Sequence, residues 1–597
     1  MLQLELRAVL FCAAFLFAQA ALADTATGGS PGANSGLQLD AIMADYWEFH
    51  LAADPIAATQ AGLSSGNDRM PSVTPEELGR ELNALAKFRA RLRDLDQSTL
   101  DERVQVNAKL FAWVLDDSIR AHELNVARIP FNTFSGFYMN ALTASNGVRM
   151  REVEDYEAYL ARLADIPRYF AENLANMEQG AESGFVLPQI VIDGVLPTIR
   201  AQVKDDPEDS SFYEPFRTMS TALSDDEQRR LSALGRAVIA DQVMPAFSRV
   251  AQYLDTEYPA SETIGAEQRP DGKAYYAFAI KRYTTIPDLA ADEIHEIGLA
   301  EVARIKTEMQ AIIDELGFTG DFDAFAEYLR TGPQFYATSA EQLLQQVARI
   351  AKRIDYRMPG FFGLLPRQPY GIVPVPDEIA PNYTTGAYHS SPPGGDHGGE
   401  FWVNTFALDQ RPLYELPALT LHEAVPGHHH QNAIAAEMQD VPAFRNDLYF
   451  SAFGEGWGLY AEKLGVEMGI YQTPFEHFGR LSYEMWRACR LVIDTGIHAK
   501  GWSRQQAIDF MSDNTSLSEG NIRAEIDRYI SWPGQALAYK LGELRIWELR
   551  RRAEELLGKN FDLREFHDAI LANGALPLEM LNEVVDRYID SALESTE

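Results

Sequence analysis

The stretch LPALTLHEAVPGHHHQNAIAAEM, residues 416–438, predicts a helix that is interrupted near its middle. The sequence is typical of a helix both before and after Pro426-Gly427. Proline removes one backbone hydrogen bond, and its ring collides with the carbonyl four residues earlier, which here belongs to His422. We therefore expect a bulge or kink at Pro426.

The same stretch contains residue types that bind zinc. A catalytic zinc site needs three protein ligands, an open position for water and a carboxylate that accepts the proton of that water. His422 is predicted as a ligand, Glu423 as the general base, and either His428 or His429 as the second ligand. On an unbroken helix a residue seven positions on returns to almost the same face, which favours His429, but a kink can bring either histidine to the metal. His430 is expected to be an exposed polar residue.

A second stretch, FSAFGEGWGLYAEKLG at residues 450–465, offers the third ligand. Glu455 lies among small residues that let a helix approach closely. Glu462 follows seven residues later on the same helical face and is the candidate for orienting a metal-binding histidine. The sequence therefore predicts a Zn²⁺ site, although two histidines and a glutamate also accept cobalt, manganese or iron.

Four motifs resemble one bacterial family. HEAVPGHH, GEGWGLYAE, RLVIDTGIHAKGW and WPGQALAYKLG occur in the order found in domain of unknown function 885, and EIHEIGLAEV upstream also fits it. That family is similar to helical zinc peptidases with an HExxH…E site, including the thermostable carboxypeptidases and enzymes like angiotensin-converting enzyme. The resemblance implies a mostly helical, two-lobed body with a deep channel. GEGW also resembles the NEGFA segment of aminopeptidases, which implies that Glu455 binds zinc, whereas the longer interval between histidines leaves the second ligand open.

Peptide hydrolysis also needs a donor that stabilises the oxyanion. WPGQALAYKLG resembles the GYFPTY-like segment of the thermostable carboxypeptidases, which implies this role for Tyr539, and Tyr529 is the alternative. Arg490, Asp494 and His498 repeat at intervals of four, so they share a helix face. They are expected to form a buried polar ladder beside the metal, with His498 as a catalytic candidate or as part of a structural network.

The rest of the sequence predicts a mainly α fold. Apolar spacing predicts a helix that begins with Thr74 as its N-cap, and another over residues 287–316. Strand signals are scarce, the clearest being FVLPQIVID at residues 185–193 and EFWVNTF at residues 400–406. We expect the second to form a small β edge next to the metal helix, where a peptide backbone binds and Asn404 contacts it.

The N-terminal segment has the pattern of a secretory signal. Arg7 precedes an apolar run that ends in small residues, which predicts a signal peptide over residues 1–23. An uncleaved anchor is the alternative, because Glu5 offsets the charge of Arg7. A lipid-attachment site at Cys12 fits poorly because Phe11 precedes it. A Gly-rich linker is predicted over residues 24–36, followed by helical lobes over 37–270 and 271–597. Removal of the signal would leave no further segment long and apolar enough to cross a membrane.

The composition of the chain argues against nucleic-acid binding and against an internal disulfide. The chain has 597 residues and a net charge of −35, with 87 acidic and 52 basic residues, so phosphate backbones would be repelled. We expect no nucleic-acid partner. After removal of the signal, Cys489 would be the one remaining cysteine, which excludes an internal disulfide.

These patterns together predict an exported, periplasmic or secreted zinc-dependent metallopeptidase that hydrolyses short peptides with Glu423 as general base. Two alternatives remain at this stage: a metal-dependent amidase that acts on non-ribosomal or cell-wall peptides, and a non-catalytic protein that binds metal or peptide. Exo against endo cleavage, side-chain preference and oligomeric state are left open by the sequence.

Overall fold

The computed structural model describes residues 31–377, 379–391, 397–446 and 448–594. The predicted signal peptide lies outside these residues. Part of the predicted linker is helical, because the first helix, α1, spans Pro31–Ala53 and starts before Leu37. Proline is favoured in the first turn of a helix, and Leu39 and Ile42 on α1 are buried, so the helix has both a start signal and an apolar face.

The described chain is mainly helical. Its first half contains α2 Pro55–Gln60, α3 Pro75–Arg93, α4 Glu102–Glu123, α5 Phe137–Leu142, α6 Val153–Ser183, α7 Gln189–Arg200, α8 Glu214–Arg217, α9 Asp225–Val238, α10 Met244–Gln252, α11 Gly272–Thr284, α12 Ala291–Glu315, α13 Phe322–Thr331 and α14 Ala340–Arg357. Its second half contains α15 Leu416–Glu423, α16 His428–Ala436, α17 Ser451–Glu467, α18 Pro474–His498, α19 Arg504–Asn514, α20 Glu519–Ser531, α21 Ala538–Leu557, α22 Leu563–Leu571 and α23 Leu578–Glu594.

Both helices predicted from apolar spacing are confirmed. Thr74 caps α3 by accepting a hydrogen bond from the Glu77 amide at 3.2 Å. The helix predicted over residues 287–316 is α12, which begins at Ala291. Among the described residues, no helix combines the length and hydrophobicity that a membrane span requires.

The strand predicted over residues 185–193 is wrong. Pro188 makes an isolated bridge to Ser261, and helix α7 begins at Gln189. Val191, Ile192, Val195 and Ile199 are buried on one face of that helix, so the apolar run was the start of a helical stripe.

One small sheet lies beside the helices. It consists of β1 Tyr370–Pro374, β2 Gly386–His389 and β3 Gly399–Val403, in the spatial order β1-β3-β2. β3 pairs parallel with β1 and antiparallel with β2. The predicted β element therefore exists, but EFWVNTF supplies the central strand, and β2 is the edge strand that packs against α15 and α16.

The substrate contact predicted for Asn404 does not fit the structure. Asn404 is fully buried at the end of β3, and its amide donates to the carbonyls of Ala380, Tyr383 and Thr384. These bonds fix the loop that leads into β2. Asn404 is therefore engaged in shaping the sheet, because a central strand has no free edge for a peptide.

The hydrophobic core forms two large clusters that each draw on distant parts of the chain. One joins Tyr156 and Phe247 to Ile493, and the other joins Phe111 to Leu421. The division near residue 270 and the two lobes stay predictions.

Two glycines allow a close crossing of α17 and α21. A Cβ added to Gly456 would lie 2.5 Å from Gly542 Cα, so a side chain at either position would force the helices apart. Such close approach is available to glycine alone. The crossing fixes α17, which carries Glu455, against the C-terminal helices.

We expect Gly456→Ala to destabilise the protein by about 1–3 kcal/mol, because its methyl group overpacks this crossing. Urea unfolding of the metal-free protein measures this. Gly79→Ala is the matched control: its Cβ meets nothing within 4 Å, so a stabilisation of about 0.5–1 kcal/mol is expected there. Equal midpoints for the two variants would contradict the proposed tight crossing.

Candidate metal centre

The predicted break in the helix is confirmed. Helix α15 ends at Glu423 and α16 begins at His428, with a cis Val425–Pro426 peptide between them. Gly427 is needed here because a Cβ at that position would lie 1.8 Å from the His422 carbonyl oxygen. The break places the last turn of α15 and the first turn of α16 around one point.

His422, His428 and Glu455 come together at this break. Ligand atoms of the three residues lie within 4.8 Å of one another. Glu455 Oε2 is 3.4 Å from His422 Nε2 and 3.6 Å from His428 Nε2. The two imidazole rings stand nearly perpendicular, with centroids 4.7 Å apart. Three potential donors therefore converge on one volume.

Helix α17 also orients His422. Glu462 Oε1 lies 2.8 Å from His422 Nδ1, which confirms the predicted contact and leaves Nε2 directed at Glu455. Gly458 lets the ring lie flat on the helix, because an added Cβ would be 2.5 Å from His422 Cε1. Trp457 anchors the same turn by donating to the Pro426 carbonyl at 2.7 Å. Trp457 and Gly458 of GEGWG are thus explained by the contact with the broken helix, whereas Gly456 serves the crossing with α21.

His428 has its own polar neighbour. The side-chain amide of Gln431 lies 3.2 Å from His428 Nδ1, and the buried Gln431 Oε1 has no hydrogen-bond partner among the described residues. Turning the amide over would aim this oxygen at Nδ1–H, the tautomer that leaves Nε2 free to bind a metal. With Nδ1–H bonded to this oxygen, the lone pair of His428 Nε2 is available to a cation.

His429 lies outside the group, although helical spacing favoured it. Its Nδ1 is 3.1 Å from the Tyr388 hydroxyl and its Nε2 is 3.1 Å from the Gln368 carbonyl, so both nitrogens are occupied. Burial lowers the pKa of His429 to about 4, which keeps the ring neutral. His430 is fully buried rather than exposed, and its Nε2 bonds to the Leu364 carbonyl. The seven-residue helical spacing does not apply here, because the break between the two helices ends the helical periodicity.

The electrostatics of the group favour a cation. Burial lowers the pKa of His422, but hydrogen bonds to Glu455 and Glu462 outweigh burial and raise it to about 10. Burial raises the pKa of Glu455, but His422 and His428 outweigh it and hold that pKa well below its usual value. The carboxylates around His422 therefore stabilise a positive charge at this position. Two imidazoles and one carboxylate are also the donor set of many catalytic zinc sites, so the residues fit Zn²⁺.

Glu423 lies next to the group and faces the free edge of the sheet. Its Oε2 accepts a hydrogen bond of 2.9 Å from the amide of Tyr388 on β2. The side chain is almost fully buried, at 9% exposed. The edge strand and the carboxylate predicted as general base are therefore in direct contact.

A tyrosine that the sequence analysis missed also contacts the group. The Tyr449 hydroxyl donates to Glu455 Oε1 at 3.2 Å. The surrounding protein, Glu455 and the neighbouring Tyr539 raise the pKa of Tyr449 well above its usual value, so the hydroxyl keeps its proton. The effect on the pKa indicates that Tyr539 lies near Tyr449, and the Tyr539 hydroxyl is 3.4 Å from Arg528 Nη2. Tyr449 precedes α17 in an irregular segment, and no periodic pattern marks it.

Tyr529 and His498 are engaged elsewhere. The Tyr529 hydroxyl donates to Glu525 at 2.6 Å and accepts from Arg490 at 2.9 Å, and the residue is fully buried. His498 Nδ1 accepts from the Ala266 amide, and Nε2 lies 3.0 Å from the Tyr529 carbonyl. Burial lowers the pKa of His498 to about 3. These bonds suit structural roles for Tyr529 and His498.

The predicted ladder on α18 is buried, but its members bind different partners. Asp494 accepts from the Tyr276 hydroxyl at 2.6 Å and from the Gly534 amide. Arg490 bonds to Glu525 and Tyr529, and His498 bonds to backbone groups. The three side chains therefore connect α18 to its neighbours.

A helical body with a His-His-Glu group beside a short sheet defines a candidate metalloprotein. The family model for the bacterial protein of unknown function DUF885 matches residues 55–585, and the chain belongs to that family. None of the curated proteins compared with the chain matches it.

Two solved structures share the fold, and a third is only weakly similar. A "putative lipoprotein" from Colwellia psychrerythraea is 29% identical with a TM-score of 0.87, covering 93% of this chain and 100% of that one. A "putative lipoprotein of unknown function" from Shewanella oneidensis is 18% identical with a TM-score of 0.71, covering 91% and 98%. An M32 carboxypeptidase from Deinococcus radiodurans R1 is 12% identical with a TM-score of 0.32, covering 86% and 98%.

We expect His428→Ala to lose bound zinc and His429→Ala to keep it, because His428 directs a nitrogen at Glu455 and His429 does not. Metal content after dialysis, measured by plasma mass spectrometry, tests this on folded protein. Glu455→Ala should behave like His428→Ala. Full zinc occupancy in His428→Ala, or its loss in His429→Ala alone, would assign the second ligand to the other histidine.

Proposed function

We propose that this protein is a zinc-dependent hydrolase that cleaves peptide bonds in short peptides. The observation that carries the proposal is the convergence of His422, His428 and Glu455 beside the carboxylate of Glu423. A purely structural zinc site has no need of a carboxylate base next to its ligands, so this arrangement favours catalysis over storage or structural binding of metal.

The proposed metal ligands are His422, His428 and Glu455. When bound there, zinc supplies a positive charge that makes a water molecule more acidic and polarises a carbonyl oxygen. Glu462 supports this arrangement by holding the Nδ1 side of His422. The chain itself then has to accept a proton, stabilise the developing negative charge and position the peptide.

Glu423 is the proposed general base. One of its carboxylate oxygens accepts a hydrogen bond from the Tyr388 amide, which holds the side chain in place and leaves the other oxygen to take a proton from water. The same proton is then available for the amine that leaves when the peptide bond breaks. Both transfers need the carboxylate in one position, and its burial beside β2 provides that.

Tyr449 and Tyr539 are the proposed donors to the oxyanion. Both hydroxyls lie on the side of the group formed by Glu455 and α21, and the raised pKa of Tyr449 keeps its proton available for donation. Tyr539 was proposed from sequence for this role, and Tyr449 joins it because of its contact with Glu455. A preorganised donor of this kind is worth about 100- to 1000-fold in rate.

The free edge of β2 is the proposed binding surface for the peptide backbone. β2 is the outer strand of the sheet, and its Tyr388 amide points away from β3 towards Glu423. An extended peptide that pairs with this edge would bring its carbonyl groups past the base. The stretch 400–406, which the sequence predicts as the edge that binds peptide, supplies the central strand instead.

Export is part of the proposal. The N-terminal sequence pattern of a signal peptide supports it. A periplasmic or secreted location would give the enzyme access to peptides outside the cytoplasm, including cell-wall peptides as an alternative substrate class.

We expect Glu423→Gln to keep zinc and bind peptide but to lose about 100- to 10,000-fold in turnover, because an amide cannot accept the proton. Initial rates on a mixed peptide library, analysed by mass spectrometry, and zinc content of the same samples provide the measurement. Glu467→Gln, at the exposed end of α17, is the matched control and should stay within about threefold.

The hydrolase proposal fails if zinc-loaded Glu423→Gln turns over as fast as the wild type. It also fails if the zinc-loaded wild type cleaves neither ordinary L-peptides nor crosslinked wall fragments. Cleavage of the wall fragments alone would assign the activity to the amidase alternative.

A further inference from the structure

Three arginines lie around Trp486 and Tyr539, near the candidate metal centre. Arg487 and Arg490 both lie over the ring of Trp486, with guanidinium carbons 4.6 and 4.7 Å from the ring centroid. Arg490 also lies 4.3 Å from the ring centroid of Tyr539, and Arg528 reaches the hydroxyl of that tyrosine. We call Arg487, Arg490 and Arg528 the arginine cluster.

Each guanidinium in the arginine cluster has an unused donor. Arg490 Nη1, Arg487 Nε and Arg528 Nε are buried without a hydrogen-bond partner among the described residues. The strongest case is Arg490, because it is 2% exposed and its Nε and Nη2 are already fixed by Tyr529 and Glu525. A buried charged donor without an acceptor costs free energy, so the structure is consistent with an acceptor that arrives with a ligand.

The charge around the arginine cluster is unbalanced. Glu525 contacts Arg490 and Arg528 at 3.0 and 3.6 Å. Glu415 interacts with Arg487, but burial raises the pKa of Glu415 to about 7, so this carboxyl is only partly ionised at neutral pH. The cluster therefore retains positive charge inside a protein whose net charge is −35. A buried cluster with an excess of positive charge favours an anionic ligand.

Two tyrosines link the arginine cluster to the candidate metal centre. The ring centroid of Tyr539 lies 4.3 Å from the guanidinium carbon of Arg490. Burial, Glu455 and Tyr539 raise the pKa of Tyr449, whose hydroxyl donates to Glu455. Arg487 lies 4.8 Å from the ring of Tyr483, a residue whose pKa is raised first by burial and then by carboxylates that include Glu423. A peptide held at Glu423 would thus extend towards guanidinium groups within a few residues of the reacting bond.

We propose that the arginine cluster binds a carboxylate of the peptide substrate. The planar guanidinium of Arg490 offers its Nη1, which has no partner among the described residues, and Tyr539 and Arg528 lie beside it. The carboxylate comes either from the C-terminus of the peptide or from an acidic side chain near the cleaved bond. This inference rests on the proposed peptidase function and defines its substrate class as peptides that carry a carboxylate close to that bond.

The proposal can be tested by binding, separately from turnover. Three probes are used with zinc-loaded Glu423→Gln protein: fluorescein-labelled tetra-alanine as the free acid, the same peptide as its C-terminal amide, and the amide with glutamate as the last residue. Fluorescence anisotropy gives each Kd. The free acid should bind about 10- to 100-fold more tightly than the tetra-alanine amide, the size expected for a charge-assisted hydrogen-bonded pair. Tight binding of the glutamate amide would identify a side-chain carboxylate as a ligand as well.

Substitution then assigns the preference to the arginine cluster. Arg490→Lys keeps the charge opposite Glu525 but loses the planar fork, so the preference for the acid should fall below about threefold. Arg528→Lys, at a less buried position, is the second variant if Arg490→Lys does not fold. Arg504→Lys is the matched control, since its Nε and Nη2 are both paired with Asp527, and it should keep the full preference.

Equal binding of all three probes, or no binding of any, would overturn the carboxylate site. So would an undiminished preference in the folded Arg490→Lys and Arg528→Lys proteins. Peptide cleavage by the wild type without preference for a carboxylate would overturn this inference and leave the proposed function intact. Carboxylate-dependent binding without any cleavage would support the site and refute the proposed function.

Discussion

The contact between α17 and the broken helix of residues 416–436 is the constraint on which the candidate centre depends. Trp457 on α17 donates to the Pro426 carbonyl, and Gly458 lets the His422 ring lie against the helix backbone. Glu455 and Glu462 are thereby placed on the two sides of His422. Any side chain at Gly458 would displace the ring, so the geometry of the donors follows from helix packing.

The charges of the side chains that this packing brings together determine which ligands the site favours. Three glutamates, Glu423, Glu455 and Glu462, lie around two imidazoles in a buried volume, and the carboxylates raise the pKa of His422 to about 10. A buried site with this excess of negative charge is stabilised by a bound cation. Arg490 and Arg528 lie next to Tyr539, and each has a buried nitrogen without a hydrogen-bond partner among the described residues. The two regions would bind opposite ends of a polar substrate.

Much of the site could be predicted because its signals are local. The break at Pro426 follows from the missing amide of proline, and the relation of Glu455 to Glu462 follows from helix periodicity. The choice between His428 and His429 could not be predicted, because the break ends that periodicity and contacts from distant residues such as Tyr388 set the direction of α16. The predicted break at Pro426 is therefore also the reason why helical spacing could not select the second histidine.

The fold shows the same division between local and non-local information. Capping and apolar spacing correctly predict helices α3 and α12, whereas residues 185–193 resemble a strand because a short apolar run fits either structure. The order of strands in the sheet depends on pairing between distant segments, so the edge role of β2 was missed. Tyr449 lies outside any regular element and could be identified only from its contact with Glu455.

Anomalous diffraction from crystals of the zinc-loaded protein, with data collected on both sides of the zinc absorption edge, would locate the metal directly. We expect one strong peak, present above the edge and absent below it, between His422 Nε2, His428 Nε2 and the Glu455 carboxylate. A peak bound by His429, or no zinc peak at this group in crystals of protein that contains stoichiometric zinc, would contradict this expectation.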